Sequence, residues 1–340
     1  MIRPFLKWAG GKTRALPELL PHLPKGYCLM EPFVGGGSVF LNTSYDKYVL
    51  ADINSDLINT YENVKHRTNL FIDVARELFK EGNSKEYYLK IRKEFNELNT
   101  SYHECGRRPL SLRLSLMQSA RFLYLNRHGY NGVCRYNNKL EYNVPFGQHK
   151  TAPYFPEQEI RQFAEKANDT NAVFLNLNFD DTLSMLTFGP NLVIYCDPPY
   201  LPATATATAD FTAYYGQKFT RDDHRRLVQK LLEISARGAA KVVISNSDTP
   251  AAREIYVSFT FQEINVQRSV SANTSKRETA KEVIGYIPHC EYCGDRLITG
   301  RPCSCDTQRR TVWGCPDGGC GACDSVDLCA SAGSEFYDQD

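Results

Sequence analysis

Hydrophobic and polar positions along the chain follow two patterns, one typical of β-strands and one typical of helices. Short apolar runs rich in β-branched and aromatic residues, bounded by Gly, Pro or Asp, predict strands. Two of these predicted strands begin at Cys28 and Tyr48. The others cover 172–177, 192–196, 241–246 and 259–266, and a short strand-like start lies at 5–9.

A helical period dominates the chain between residues 56 and 125. Apolar residues recur there at helical spacing, for example at Leu70, Val74 and Leu78. Shorter helices are predicted at 16–23, 55–64 and 223–236. Because strands lie on both sides of the helical block, the pattern predicts an α/β sheet with a mainly helical insertion.

Charge is distributed unevenly along the 340 residues, although the formal net charge is only +1. Residues 288–340 contain four Arg and no Lys against nine Asp and Glu, whereas the remainder has a net charge of +6. The excess of positive charge in the larger part fits a polyanionic partner.

No apolar run approaches the roughly 18 residues of a transmembrane helix. Residues 1–4 do not open a signal peptide either. We therefore expect a soluble, cytoplasmic protein.

The stretch 192–200 carries the most specific chemistry. A buried strand ends there at Asp197, two prolines stiffen the backbone, and Tyr200 follows one tight turn later. In an open α/β sheet, ligands bind at this edge. The carboxylate and the carbonyl of Pro198 can accept hydrogen bonds from an exocyclic amine while the tyrosine ring stacks on the amine-bearing ring. The alternative is an ordinary Asp-Pro turn.

A glycine-rich turn follows the strand that begins at Cys28, with Gly35 and Gly37 before an apolar helix. Asp52 lies at the end of the next strand. Its separation from the glycine turn along the sequence is close to that of the carboxylates that bind ribose hydroxyls in such folds. Together they predict a nucleoside cofactor, although many α/β domains contain such a turn and Asp52 could simply cap a helix. Residues 5–12 resemble part of a phosphate loop, but not with Walker spacing.

Residues 126–150 interleave Asn, Gly, Tyr and Arg without the period of a core element. A polar, aromatic and basic hairpin of this kind suits base reading, since Arg pairs with guanine edges, Asn pairs with adenine, and aromatic rings stack or wedge. The alternative is a solvated loop.

Four motifs follow one another along the chain: Phe5-Leu6-Lys7-Trp8-Ala9-Gly10-Gly11-Lys12, Glu31-Pro32-Phe33-x-Gly35-x-Gly37, Ala51-Asp52-Ile53-Asn54 and Asp197-Pro198-Pro199-Tyr200. In this order and at these distances they resemble the Dam-type DNA adenine-N6 methyltransferases of the α group, and the likeness covers roughly residues 3–287. The resemblance implies S-adenosyl-L-methionine as cofactor and, as target, the adenine of GATC in double-stranded DNA, bound by a monomer.

The resemblance also assigns roles to individual residues. Asp197 and the carbonyl of Pro198 would hold the amine of a flipped-out adenine, with Pro199 stiffening the turn and Tyr200 stacking on the base. No metal is required for that step. The implied cofactor contacts are Trp8, Lys12, Phe33, Gly35, Gly37, Asp52 and Asp197.

For target recognition, the resemblance makes Arg135 the reader of the guanine in the third base pair. The other implied DNA contacts are Lys7 for the first guanine, Val133 and Pro145 for a thymine methyl, Tyr130 and Asn131 beside the flipped base, and Arg127 and Asn137. The chain departs from the family pattern at Val133, where leucine is usual, and at Gln148 and His149, which replace a basic and an aromatic residue. The second change removes expected phosphate anchors.

The expected fold is a Rossmann-like, S-adenosylmethionine-dependent methyltransferase sheet with an inserted, mainly helical target recognition domain and a small cysteine-rich tail. The predicted parts are the first part of the catalytic domain at 1–58, the target recognition domain at 59–155 with its hairpin at 126–150, the second part of the catalytic domain at 156–287, and the tail at 288–340.

The tail lies outside the resemblance and contains eight of the 12 cysteines. Short CxxC steps in a reducing compartment fit structural zinc, whereas a disordered extension and a redox-active tail are the alternatives. The acidic balance of the tail favours contact with a protein over contact with DNA. The candidate zinc ligands are Cys290, Cys293, Cys303, Cys305, Cys315, Cys320, Cys323 and Cys329.

Two other functions compete with adenine methylation. A sequence-specific DNA-binding protein could keep the fold without activity, but it has no need of the intact tetrapeptide 197–200 or of Asp52. An N4-cytosine methyltransferase uses a similar proline pair, and the recognition hairpin argues against it. The pattern is compatible with replication or repair marking and with restriction-modification.

Overall fold

The computed structural model describes residues 1–104, 111–185, 191–201, 213–214, 217–236, 240–266 and 280–288. Within these ranges, no helix has the length and apolar character needed to cross a membrane. The predicted zinc ligands of the tail lie outside the described residues, as does the alanine- and threonine-rich stretch 203–209.

A seven-stranded sheet forms the centre of the protein, with the strand order β3-β2-β1-β4-β7-β9-β8. The first five of these strands run parallel, and β9 runs antiparallel to both of its neighbours. Two further short strands, β5 and β6, pair with each other. The strands are β1 Cys28–Glu31, β2 Lys47–Ala51, β3 Val173–Leu175, β4 Leu192–Cys196, β5 Ala213–Tyr214, β6 Gln217–Lys218, β7 Lys241–Ser247, β8 Thr260–Val266 and β9 Ala280–Tyr286.

Helices connect the parallel strands, and a group of three long helices follows the first two strands. That group consists of α4 to α6, and α3 and α7 pack against it. The helices are α1 Leu16–Leu19, α2 Ser38–Asn42, α3 Ser55–His66, α4 Thr68–Lys80, α5 Lys85–Glu104, α6 Leu112–His128, α7 Glu157–Asp169, α8 Phe179–Ser184, α9 Arg221–Ala236 and α10 Pro250–Ile255.

Apolar side chains fill both faces of the sheet. Successive residues of a strand point to opposite faces, and accordingly Leu29 belongs to one buried cluster and Met30 to the other. Phe40 and Tyr61 lie in the first cluster, and Leu227 lies in the second. The predicted α/β fold with a Rossmann-like sheet is confirmed.

Three local predictions differ from the structure. The predicted strand at 5–9 does not form, because the side chain of Asn126 takes the place of a partner strand and exchanges hydrogen bonds of 2.8 and 2.7 Å with the backbone of Lys7. The predicted helix at 16–23 ends at Leu19 and continues as a 3₁₀ turn at Leu20–His22. Residues 126–128 belong to helix α6, so the hairpin predicted at 126–150 can begin only after His128.

Candidate active site

The topology brings three of the predicted motifs to one edge of the sheet. Strands β2, β1 and β4 are parallel neighbours, so their carboxyl ends lie side by side. The glycine turn follows β1, Asp52 follows β2 and Asp197 follows β4. This is the edge at which open α/β sheets bind ligands.

The glycine turn is shaped by left-handed backbone and closed by hydrogen bonds. Gly35 and Gly37 have φ values of 46° and 72°, which L side chains rarely adopt. The N–H of Gly35 donates to Oδ2 of Asp52 at 3.1 Å, and the hydroxyl of Tyr61 donates to the Gly35 carbonyl at 2.5 Å. A Cβ atom at Gly35 would lie 2.8 Å from Nε1 of Trp8. The indole therefore lies directly against the turn, and only glycine leaves room for it.

Asp52 is 3% exposed, and its second oxygen accepts the N–H of Asn54 at 2.9 Å. Asn54 in turn caps helix α3, because its side-chain oxygen accepts from the N–H groups of Asp56 and Leu57. The helix-capping alternative thus belongs to Asn54 rather than to Asp52. The carboxylate of Asp52 instead ties the end of β2 to the glycine turn.

Two aromatic rings contact Phe33, which lies two residues before Gly35 of the glycine turn. Phe33 stacks on Phe179 with ring centroids 5.8 Å apart, and the ring of Phe219 meets it edge-on at 5.7 Å. Phe33 packs against the second apolar cluster of the sheet. The arrangement anchors the turn on the sheet.

The carboxylate of Asp197 has a partner on each oxygen. Nζ of Lys12 lies 2.6 Å from Oδ2, and the hydroxyl of Ser245 donates to Oδ1 at 2.8 Å. The ammonium group of Lys12 also donates to the carbonyl of Gly10 at 2.8 Å and lies 4.8 Å from the ring centroid of Tyr200. The first and last predicted motifs therefore meet at one charged cluster, and Lys12 is only 6% exposed.

Tyr200 is held by an acidic residue on β9, which lies two strands away from β4 in the sheet. Its hydroxyl donates to Oε2 of Glu282 on β9 at 2.9 Å, and Glu282 is 7% exposed. Burial, with the charges of Asp197 and Glu282, raises the pKa of Tyr200 well above its ordinary value. The phenol therefore stays protonated, and the ring is fixed at both of its ends.

Sequence reasoning assigned no role to Glu31, Ser245 or Glu282. Glu31 ends strand β1 and is 2% exposed, and burial together with the charge of Asp197 raises its pKa to about 8. One of its oxygens is buried without a hydrogen-bond partner among the described residues. Its signal was present, since it is an acid at a strand end like Asp52 and Asp197.

The segment after α6 presents several predicted DNA contacts. Tyr130 is 53% exposed, Asn131 has a φ of 52°, and Gly132 packs against the side chain of Lys7. Arg135 is exposed, and its Nε donates to the side chain of Asn143 at 2.8 Å. The contact of Gly132 with Lys7 places the start of this segment beside the first motif.

Four other predicted contacts occupy different environments. Arg127 is buried, 5% exposed, and donates to backbone carbonyls of Phe5 and Tyr154. The side chain of Asn137 closes a turn by bonding Glu141. These two residues are therefore placed to support the segment. Val133 is half-buried and Pro145 is exposed.

The arrangement supports one kind of chemistry. The carboxylate of Asp197 beside the fixed ring of Tyr200 can hold a flat ring that bears an amine. A second carboxylate, that of Asp52, lies at the same edge of the sheet after β2. Among the described residues, no group of three or more His, Cys, Asp or Glu side chains could hold a metal ion. The site is built from acids, glycines and aromatic rings.

Comparison with known proteins gives consistent results. The profile of the family described as D12 class N6 adenine-specific DNA methyltransferase matches residues 8–270. The DNA adenine methylase of Serratia marcescens is 46% identical over 284 residues, which cover 83% of this chain and 97% of that protein. The protein of the same name from Escherichia coli K12 is 46% identical over 283 residues, covering 83% and 94%. That of Vibrio cholerae El Tor N16961 is 42% identical over 289 residues, covering 84% and 97%.

Proposed function

Because this chain belongs to the D12 class N6 adenine-specific DNA methyltransferases, we propose that it transfers the methyl group of S-adenosyl-L-methionine to the adenine of GATC in double-stranded DNA. Adenine-N6 methylation of DNA is the activity of the family, and S-adenosylmethionine is the methyl donor that a methyltransferase uses. The choice of GATC rests on the Dam-type motifs and on the recognition segment.

The residues at the sheet edge fit that cofactor. The indole of Trp8 takes the place that a Cβ atom at Gly35 would fill, so the indole and the glycine turn form one continuous wall that the cofactor would contact. Asp52 would bind the ribose hydroxyls, and Lys12 and Asp197 would border the remainder of the cofactor. When bound there, S-adenosylmethionine supplies an electrophilic methyl group on its sulfonium.

The observation that carries the proposal is the fixed carboxylate of Asp197 between Lys12 and Ser245. Adenine N6 is a poor nucleophile because its lone pair is delocalised into the ring. Asp197 and the carbonyl of Pro198 would accept hydrogen bonds from the amine, favour a pyramidal nitrogen and stabilise the positive charge that develops. Tyr200 would stack on the flipped base, and much of the acceleration would come from this positioning.

Residues 59–155 would form the target recognition domain. The exposed guanidinium of Arg135 suits a bidentate contact with guanine. Val133 and Pro145 would contact a thymine methyl, and Lys7 would read the first guanine. Tyr130 and Asn131 would fill space beside the flipped base.

A panel of duplexes tests the proposal. We expect purified full-length protein to transfer a labelled methyl group from S-adenosylmethionine to a GATC duplex. Each single base-pair replacement in the site should lower the transfer rate about fivefold or more, since one mismatch costs about 1–3 kcal/mol. Nucleoside analysis should identify N6-methyladenine. Binding without transfer would favour the silent DNA-binding protein, and N4-methylcytosine would favour the cytosine enzyme. Equal transfer to all duplexes would exclude GATC specificity.

A further inference from the structure

A chain of two hydroxyl groups inside the sheet ends on the carboxylate of Asp197. The hydroxyl oxygens of Tyr195 and Ser245 lie 2.8 Å apart. The hydroxyl of Ser245 lies 2.8 Å from Oδ1 of Asp197. Tyr195 and Ser245 are each 1% exposed, so water does not compete for these contacts.

The direction of the chain follows from the number of protons. An ionised carboxylate only accepts hydrogen bonds, so Ser245 must donate its single proton to Asp197. Its oxygen is then an acceptor, and the hydrogen between the two hydroxyls must come from Tyr195. Burial, with the charge of Asp197, raises the pKa of Tyr195 well above its ordinary value, so that proton is retained.

The parallel pairing of β4 with β7 places the three residues together. Cys196 lies opposite Ile244, and Asp197 and Ser245 are the next residues along the chain. Tyr195 and Asp197 are two positions apart and therefore lie on the same face. Asp197 and Ser245 are 48 residues apart in the sequence, and the register of β4 with β7 is what brings them into contact.

A carboxylate without partners rotates easily, because the terminal torsion of an aspartate is broad. Lys12 holds Oδ2 and Ser245 holds Oδ1, so the plane of the group is defined from two sides.

We propose that Ser245 is a positioning residue for methyl transfer, which orients the Asp197 carboxylate toward the adenine amine, and that Tyr195 acts through Ser245. This inference rests on the role assigned to Asp197 under the proposed function. It adds two residues that never touch the substrate.

The first test is Ser245→Ala in the full chain, measured as the single-turnover rate of methyl transfer to a GATC duplex. We expect the rate to fall about tenfold, since one lost charge-assisted hydrogen bond has that effect. The KM values for DNA and S-adenosylmethionine should stay within about twofold, because the lost contact acts on the transition state. Ser245→Thr, which keeps the hydroxyl, should restore the rate.

The second test uses Tyr195→Phe, which removes only the donor to Ser245. The single variant should slow transfer about threefold, whereas Tyr195→Phe should change nothing further in the Ser245→Ala background. Two controls keep the sheet comparable. Tyr48→Phe removes a buried hydroxyl from β2, and Ser247→Ala removes one from β7 that bonds the Leu201 carbonyl. Both should retain wild-type rates within about twofold.

The outcomes separate this inference from the proposed function. Asp197→Ala measured in parallel should abolish transfer, since loss of a charge-stabilising group costs about a hundredfold or more. If it does and Ser245→Ala keeps the wild-type rate, the positioning role is wrong. Additive losses in the double variant would overturn the chain through Ser245. An active Asp197→Ala would overturn the proposed role of Asp197 itself.

Discussion

Arg135, which we propose as a base reader, is held in a defined orientation by Asn143. Its Nε donates to the side-chain oxygen of Asn143 at 2.8 Å, and one terminal nitrogen donates to the Asn143 carbonyl at 3.3 Å. The guanidinium is exposed and yet fixed in orientation. Because a planar fork that is already ordered loses little entropy on binding, this arrangement favours a bidentate contact with guanine.

Arg135→Ala should therefore relax sequence preference at one base pair, at a cost of about 1–3 kcal/mol in discrimination. Lys150→Ala is the matched control, because we expect this exposed side chain to contact the phosphate backbone, so its loss should weaken binding to all duplexes alike. Binding of both variants to cognate and mismatched duplexes at one salt concentration decides the point. Equal losses for Arg135→Ala on both duplexes would show that it does not read a base.

At the scale of elements, a buried carboxylate joins helices α3 and α5 to the segment that follows α6. Asp56 on α3 accepts the hydroxyl of Tyr136 at 2.7 Å and the amide of Asn99 on α5 at 3.2 Å. It is 6% exposed, and burial raises its pKa to about 6. The folded protein thus binds this proton more tightly than the unfolded chain does. The free energy of unfolding should fall as the pH rises from about 4 to about 6 and stay low above that range.

Asp56→Asn should remove this pH dependence, because the amide is never charged. The free energy of unfolding of the variant, relative to that of the wild type, should rise by about 2.5 kcal/mol from pH 4 to pH 8, at about 1.4 kcal/mol for each unit of raised pKa. Denaturant unfolding of the full chain at both pH values measures the gain. Asp46→Asn, at an exposed position, is the control. The same difference between wild type and Asp56→Asn at both pH values would contradict the account.

Elements and motifs differ in how far the sequence predicts them. Strand ends are visible as apolar runs that stop at a polar residue, so the amino-acid order alone is enough to identify Asp52 and Asp197. The contact of Ser245 with Asp197 cannot be identified in this way, because it depends on which strands are neighbours and in what register. The strand predicted at 5–9 failed for a related reason, since the competing partner Asn126 lies far along the chain.

At the scale of the whole molecule, the chain combines a family domain with an additional tail. The family profile ends at residue 270, and the cysteines of 288–340 lie beyond it. The tail has few apolar residues with which to build a core. A small segment of this kind folds only with a staple such as a metal, so zinc remains our prediction for these cysteines.

Elemental analysis of full-length protein purified under reducing conditions should find one or two zinc ions, as four thiolates bind each ion. Deletion of 288–340 should remove the metal without stopping methylation of GATC in vitro, because no predicted cofactor or DNA contact lies in the tail. Zinc-free full-length protein would refute the metal prediction. A folded but inactive truncation would refute the independence of the tail.

The central claim is adenine-N6 methylation within GATC, and single-molecule sequencing tests it most directly. Plasmid DNA is taken from a methylation-deficient host that expresses either the wild-type chain or Asp197→Ala. We predict N6-methyladenine at GATC sites on both strands with the wild type, and unmodified DNA with the variant. Methylated cytosine, adenine methylation outside GATC, or no modification by well-expressed wild-type protein would contradict the account.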